Sequence, residues 1–148
     1  MKFTGSTIIN RKKSLVTDLF INPDYLKEYQ DEFQNKELLE GEQGQVGAVS
    51  KMYFDDGKRK MELIETITKN DLPDTLEAFY HHKHMDNTMT CIFKDLVDNK
   101  TEYACAFDYV AVLGSVPKLM FRLFPNVFGK QGEKWMKQFK VFVEQFES

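Results

Sequence analysis

All three histidines of the chain fall within the four residues "HHKH", as His81, His82 and His84, and imidazole is the side chain best suited to binding a metal or moving a proton near neutral pH. Side chains in an extended strand alternate between faces. Leu76, Ala78, Tyr80, His82 and His84 therefore share one face, and Glu77, Phe79, His81 and Lys83 the other. The charged set belongs in water, which places His81 outside and turns His82 toward the covered side of a sheet as a polar contact among apolar groups. A metal held by His82 and His84 would need a third ligand such as Cys91 or Asp95 from the next strand, and the spacing is not that of a zinc site. No metal and no cofactor are expected.

The other chemically capable side chains are isolated. Glu65 interrupts the apolar face Met61, Leu63, Ile67, and reads either as a buried carboxylate or as a surface group beyond a bulge. Asp108 alternates with Ala104 and Ala106, opposite Tyr103, Cys105, Phe107 and Tyr109. Periodicity sends the aromatic set inward, small alanines would suit close packing of a helix, and the register stays open between the two. Cys91 and Cys105 lie in strand-like surroundings without CxxC spacing, and read as small buried apolar groups in a reducing compartment. Neither is accompanied by the histidine and carboxylate that activate a thiol. "GEQGQVG" lacks the lysine and the strand-to-helix context of a phosphate loop. No motif designates a catalytic residue.

The elements that must position these groups follow from pattern. The 148 residues suit one domain, 1–148, with a sizeable core. A net charge of −3 leaves no basic field for nucleic acid, and the runs Arg11–Lys13 and Lys58–Lys60 read as solvated faces. Neither a signal-peptide-like run nor an uncharged apolar span appears, so a cytoplasmic protein without stable membrane insertion is expected.

Residues 2–10 suit a strand. Asn10 is the expected N-cap of a helix carrying Leu15, Val16, Leu19 and Phe20 on one stripe, and Asn22 with Pro23 opens a second short helix. The period then becomes two. "QVGAVSKMYF" puts Val46, Ala48, Ser50, Met52 and Phe54 on one face, and turns are predicted at "EQG", "DDG", "NDLPD", "MDN" and "DNK", giving six antiparallel strands. From Ser115 the pattern is helical, with a kink or break at Pro125 and a core stripe of Trp135, Phe139, Phe142 and Phe146.

This order, together with the stretches "INRKKSLVTDLFINPDYLKEY", "EGEQGQVGAVSKMYF" and "DNKTEYACAFDY", resembles the helix-grip fold of the START-like, or SRPBCC, superfamily. That superfamily includes plant pollen allergens, lipid-transfer domains, polyketide cyclases and chaperone-ATPase activators. The resemblance implies an α+β architecture in which a curved seven-stranded antiparallel sheet wraps a long C-terminal helix in the order β-α-α-β6-α. It also implies a cavity between them that takes a hydrophobic small molecule, a lipid or an aromatic, polyketide-like compound.

The residues expected to line the cavity are Phe20, Met52, Phe54, Leu63, Tyr80, His82, Met89, Cys91, Phe107, Met120, Phe124 and Phe128. Two further readings stand beside this one. The first is a cyclase or dehydratase using His82 or a buried carboxylate, and the second is a protein-interaction module whose interior is filled by side chains.

Overall fold

The computed structural model describes residues 2–83, 85–112 and 125–147, without the side chains of 111–112 and 125–129. Strand β1 (Lys2–Ile9) is followed by helix α1 (Lys13–Ile21), a single 3-10 turn (Pro23–Tyr25) and helix α2 (Leu26–Tyr29). Strands β2 (Phe33–Glu40), β3 (Val49–Asp55), β4 (Lys60–Asp71), β5 (Thr75–His82), β6 (Met85–Leu96) and β7 (Lys100–Val112) then form a meander, and helix α3 (Pro125–Gln145) closes the described chain. The seven strands make one sheet in the order β1-β7-β6-β5-β4-β3-β2, antiparallel throughout, with β1 and β2 at its edges.

Alternation sets which face is covered. Ser50, Met52 and Phe54 of β3, Leu76 and Ala78 of β5, Cys91 and Phe93 of β6 and Tyr103 and Cys105 of β7 are all buried on the inner face. The register left open in the last strand is thereby settled: its aromatic and cysteine side turns inward. Against that face lies α3, whose fully covered line is Met136, Phe139 and Val143, flanked by the partly buried Trp135, Phe142 and Phe146. The stripe expected from the sequence is real, and its centre lies one residue toward Met136. Gly5 and Gly132 permit the close approach. A β-carbon at Gly5 would come 3.2 Å from Met136 Sδ, and one at Gly132 would come 3.0 Å from the Phe107 ring.

Local signals were mostly obeyed. Asn22 caps the 3-10 turn, its Oδ1 accepting from the Asp24 N–H at 3.0 Å, with Pro23 next in the chain. Asp98 and Asn99 turn the β6–β7 hairpin at positive φ, which short polar side chains tolerate best among non-glycine residues. Helix α3 is described from Pro125. The predicted helical stretch from Ser115 to Phe124 lies outside the described residues, as does His84.

Three expectations are corrected. Asn10 does not cap α1, which starts at Lys13 after an uncapped Lys12; the Asn10 N–H instead donates to Glu144 Oε2 of α3 at 2.7 Å. Val46 is not on the inner face but 63 % exposed, because Gly44 and Gly47 adopt positive φ and keep the chain in a loop until Val49. "MDN" is not a turn. Met85 pairs with His82 and Asp86 with His81, so β6 already runs from Met85.

Candidate functional site

The inner face of β2 to β5 carries a polar group that its apolar neighbours make conspicuous. Lys36 of β2 places Nζ 2.7 Å from Glu65 Oε1 of β4, with the two side chains only 11 % and 8 % exposed. The other carboxylate oxygen, Oε2, accepts a hydrogen bond from the Tyr80 hydroxyl of β5 at 2.7 Å. Register explains the meeting. Glu65 lies opposite Tyr80 on one side and Ser50 on the other, while Lys36 lies opposite Met52 and Met52 opposite Leu63. Burial, then the negative charge of Glu65 to which it donates, raises the Tyr80 hydroxyl well above the ordinary tyrosine value. Tyr80 therefore stays a hydrogen-bond donor at every pH at which the fold is of interest.

Glu65 is thus the buried carboxylate of the two readings its sequence position allowed. Lys36 was missed, because "NKELLE" gives no clean alternation and β2 carries register shifts at both ends. The available signal was pairing: a lysine set opposite Met52, on the covered side, must find a countercharge.

Farther along the sheet the interior is closed by aromatic packing. Phe20 of α1 meets Phe93, Tyr103 and Phe139 edge-on at 5.2, 5.7 and 5.7 Å, Phe93 stacks on Tyr103 at 5.0 Å, and Tyr29 meets Phe139 at 4.8 Å. Such offset and edge-to-face contacts stabilise beyond their buried area. Burial raises the hydroxyl of Tyr103, and for Tyr29 burial is joined by Tyr103 and Glu65.

Cys91 and Cys105 sit in this closed end, directly opposite each other on β6 and β7 with Cα atoms 4.4 Å apart, and are joined as a disulfide. Both cysteines are buried, as expected, but they are paired with each other rather than separate. The two cysteines lie at equal distances along the chain from Asp98, the hairpin's centre, a symmetry that the sequence already contained.

A hollow of about 340 Å³ opens between sheet and helix, lined by Phe3, Gly5 and Phe107 on one side and by Gly132, Glu133 and Met136 on the other. A second, of about 550 Å³, lies outside that space, between α1, the loop 43–45 and the turn at Leu72 and Pro73. Of the residues expected to line a cavity, Met52 and Phe54 are buried on the inner face, and Leu63, Tyr80, Met89 and Phe107 are partly buried there. Met89 is paired with Phe107, and Phe107 with Phe3, leading to the hollow.

His82 is partly buried at the end of β5, opposite Met85, whereas the exposed His81 holds Asp86 through Nδ1 at 2.5 Å. Phe20 and Cys91 belong to the closed end. Met120 and Phe124 lie outside the described residues, as does the side chain of Phe128. Among the described residues no three His, Cys, Asp or Glu side chains gather to hold a metal, and no helix is long and apolar enough to cross a membrane.

Comparison of sequences finds no family model and no curated protein that matches the chain. Comparison of structures finds close likeness over nearly the whole length. The Zhui aromatase/cyclase from Streptomyces sp. R1128 is similar with a TM-score of 0.81 at 10 % identity, over 98 % of this chain and 94 % of that one. A START superfamily protein from Mycobacterium smegmatis gives 0.80 at 12 % identity, over 97 % of each chain. TTHA0849 from Thermus thermophilus gives 0.78 at 16 %, again over 97 % of each. The chain shares the helix-grip fold of these solved structures, the architecture that the resemblance of its sequence implied.

Proposed function

We propose that this protein binds a hydrophobic small molecule between the concave face of the sheet and α3. The observation that carries the reading is that part of that face is only partly buried among the described residues. Leu63, Tyr80, Met89 and Phe107 are partly buried on the inner surface, and the hollow against Gly132 and Met136 is lined by Phe107.

Flexible methionines beside aromatic rings make a wall that adapts to a ligand's shape. Removal of the ligand's apolar surface from water supplies the affinity, at about 25 cal/mol per Å² before the costs of immobilisation. Solved structures that share the fold include an aromatase/cyclase, which supports an aromatic, polyketide-like ligand alongside lipids. As for acid–base chemistry, Glu65 is already paired with the Lys36 ammonium through Oε1 and accepts from the Tyr80 hydroxyl through Oε2, an arrangement suited to a fixed polar group rather than to a proton acceptor.

The test is native mass spectrometry of the purified chain with thermal-shift screening of fatty acids, sterols and aromatic polyketides. A co-purifying mass or a saturable rise in melting temperature is expected. A bare chain that no compound stabilises contradicts the proposal.

A further inference from the structure

We infer that the second hollow, of about 550 Å³ between α1, the loop 43–45 and the turn at Leu72 and Pro73, is a binding site for a guanidinium group on a short hydrocarbon stem. It lies outside the space between sheet and α3, so it goes beyond the reading above and does not depend on it. Its volume falls within the usual range of small-molecule sites. One wall is a single face of α1, where Ser14, Thr17, Asp18 and Ile21 follow each other at helical spacing.

Fixed hydrogen bonds hold the other walls and decide what capacity is left in them. The Gln45 N–H donates to the Glu42 carbonyl and the Ala48 N–H to the Gln45 carbonyl, both at 3.0 Å, while the Gly47 N–H donates to the Ile67 carbonyl of β4 at 2.9 Å. Asn70 ties this loop to the turn: its Nδ2 donates to the Gly44 carbonyl at 2.6 Å and its Oδ1 accepts from the Leu72 N–H at 3.1 Å. The Thr17 hydroxyl commits its one hydrogen to the Lys13 carbonyl at 3.0 Å and the Ser14 carbonyl at 3.3 Å. The oxygen of Thr17 can then only accept, as can the carboxylate of Asp18, and the amides of Gln43 and Gln45 can turn their oxygens to join them.

Charge narrows the choice of donor. Asp71 and Asp74, on either side of the turn, are already paired, with Lys69 at 3.6 Å and Lys13 at 2.6 Å. Asp18 and Glu42 have no cationic partner among the described residues. An anion is repelled, and a neutral donor leaves Asp18 unmatched. A guanidinium carries five N–H donors in a planar fork, no acceptor and a permanent positive charge, and it takes a carboxylate through two parallel bonds. Ile21, Leu72 and Pro73 offer the apolar wall along which its stem can lie.

NMR titration of the isotope-labelled full chain tests this with three probes: capped arginine (N-acetylarginine methylamide), its citrulline counterpart, in which a neutral urea replaces the guanidinium at the same length, and propylguanidine. Capped arginine is expected to shift the backbone signals of Asp18, Gly44, Gln45 and Leu72 saturably, and to bind about fivefold tighter than the citrulline compound, the upper end for an exposed charge pair. In D18N, an exposed position where the melting temperature should hold, that margin is expected to vanish. Propylguanidine binding as tightly as capped arginine identifies a free guanidine as the ligand, and tighter binding of capped arginine identifies an arginine within a protein segment; either supports the site. Citrulline binding as tightly as arginine, an undiminished margin in D18N, shifts confined to other parts of the chain, or no shift with either cation would each overturn the inference.

Discussion

Lys36 and Glu65 show what a single pair can demand of a fold. Removing one partner strands the other charge in a low-dielectric interior, and for pairs this well covered the cost is about 3–5 kcal/mol. Lys36→Met or Glu65→Gln alone is therefore expected to lower the free energy of urea unfolding by roughly that amount. K36M/E65Q should recover most of the loss, since no unpaired charge then remains, and additive losses in the double variant would contradict the pairing. Half of this was legible in the sequence: Glu65 announced itself by breaking the apolar face of its strand. Lys36 did not, because its inward orientation depends on which residues of β3 it faces, and pairing across strands is not a local property. The cysteines differ, since hairpin symmetry about Asp98 would have paired them had the register been counted.

Among the elements, α3 is tied to the rest at its middle and near its C-terminal end as well as by its buried stripe. At the middle, Lys134 and Trp135 donate to Glu32 just before β2, at 3.1 and 3.3 Å, and Gln138 donates to Asp31 at 2.9 Å. Toward the C-terminal end, Lys140 reaches the Ile8 carbonyl and Arg11 the Phe146 carbonyl. Desolvation pushes the Glu32 carboxyl up, but its own backbone N–H, Lys134 and Trp135 together outweigh that and hold it below its ordinary value of 4.5.

The folded carboxyl thus binds its proton more weakly than the unfolded one. The stability it contributes is complete above 4.5 and is lost as pH falls through the lowered folded value. Equilibrium unfolding of E32Q should show a shallower loss of stability across that acidic window than the natural chain, and an unchanged slope would contradict the role given to Glu32. Elements of this kind were readable where period and caps agreed, as for Asn22 and the strands. Asn10 misled because a cap needs a geometry that its neighbours must supply, and here its N–H serves Glu144 instead.

For the whole molecule, the order of elements and the change of period from helix to strand and back were enough to fix the helix-grip architecture, because each strand had only one way to bury its apolar side. The division of the interior was not legible. Which aromatic side chains close one end, and which line an open one, depends on distances between sheet and helix that are set by Gly5, Gly132 and the Phe107 ring, and composition cannot report those.

Methyl-labelled methionine NMR tests directly whether a hydrophobic ligand lodges between the concave face and α3. On titration with naphthol, the methyl resonances of Met89 and Met136, which flank Phe107, are predicted to shift saturably. Resonances that stay in place at saturating naphthol, or that move everywhere except at these positions, would contradict the account.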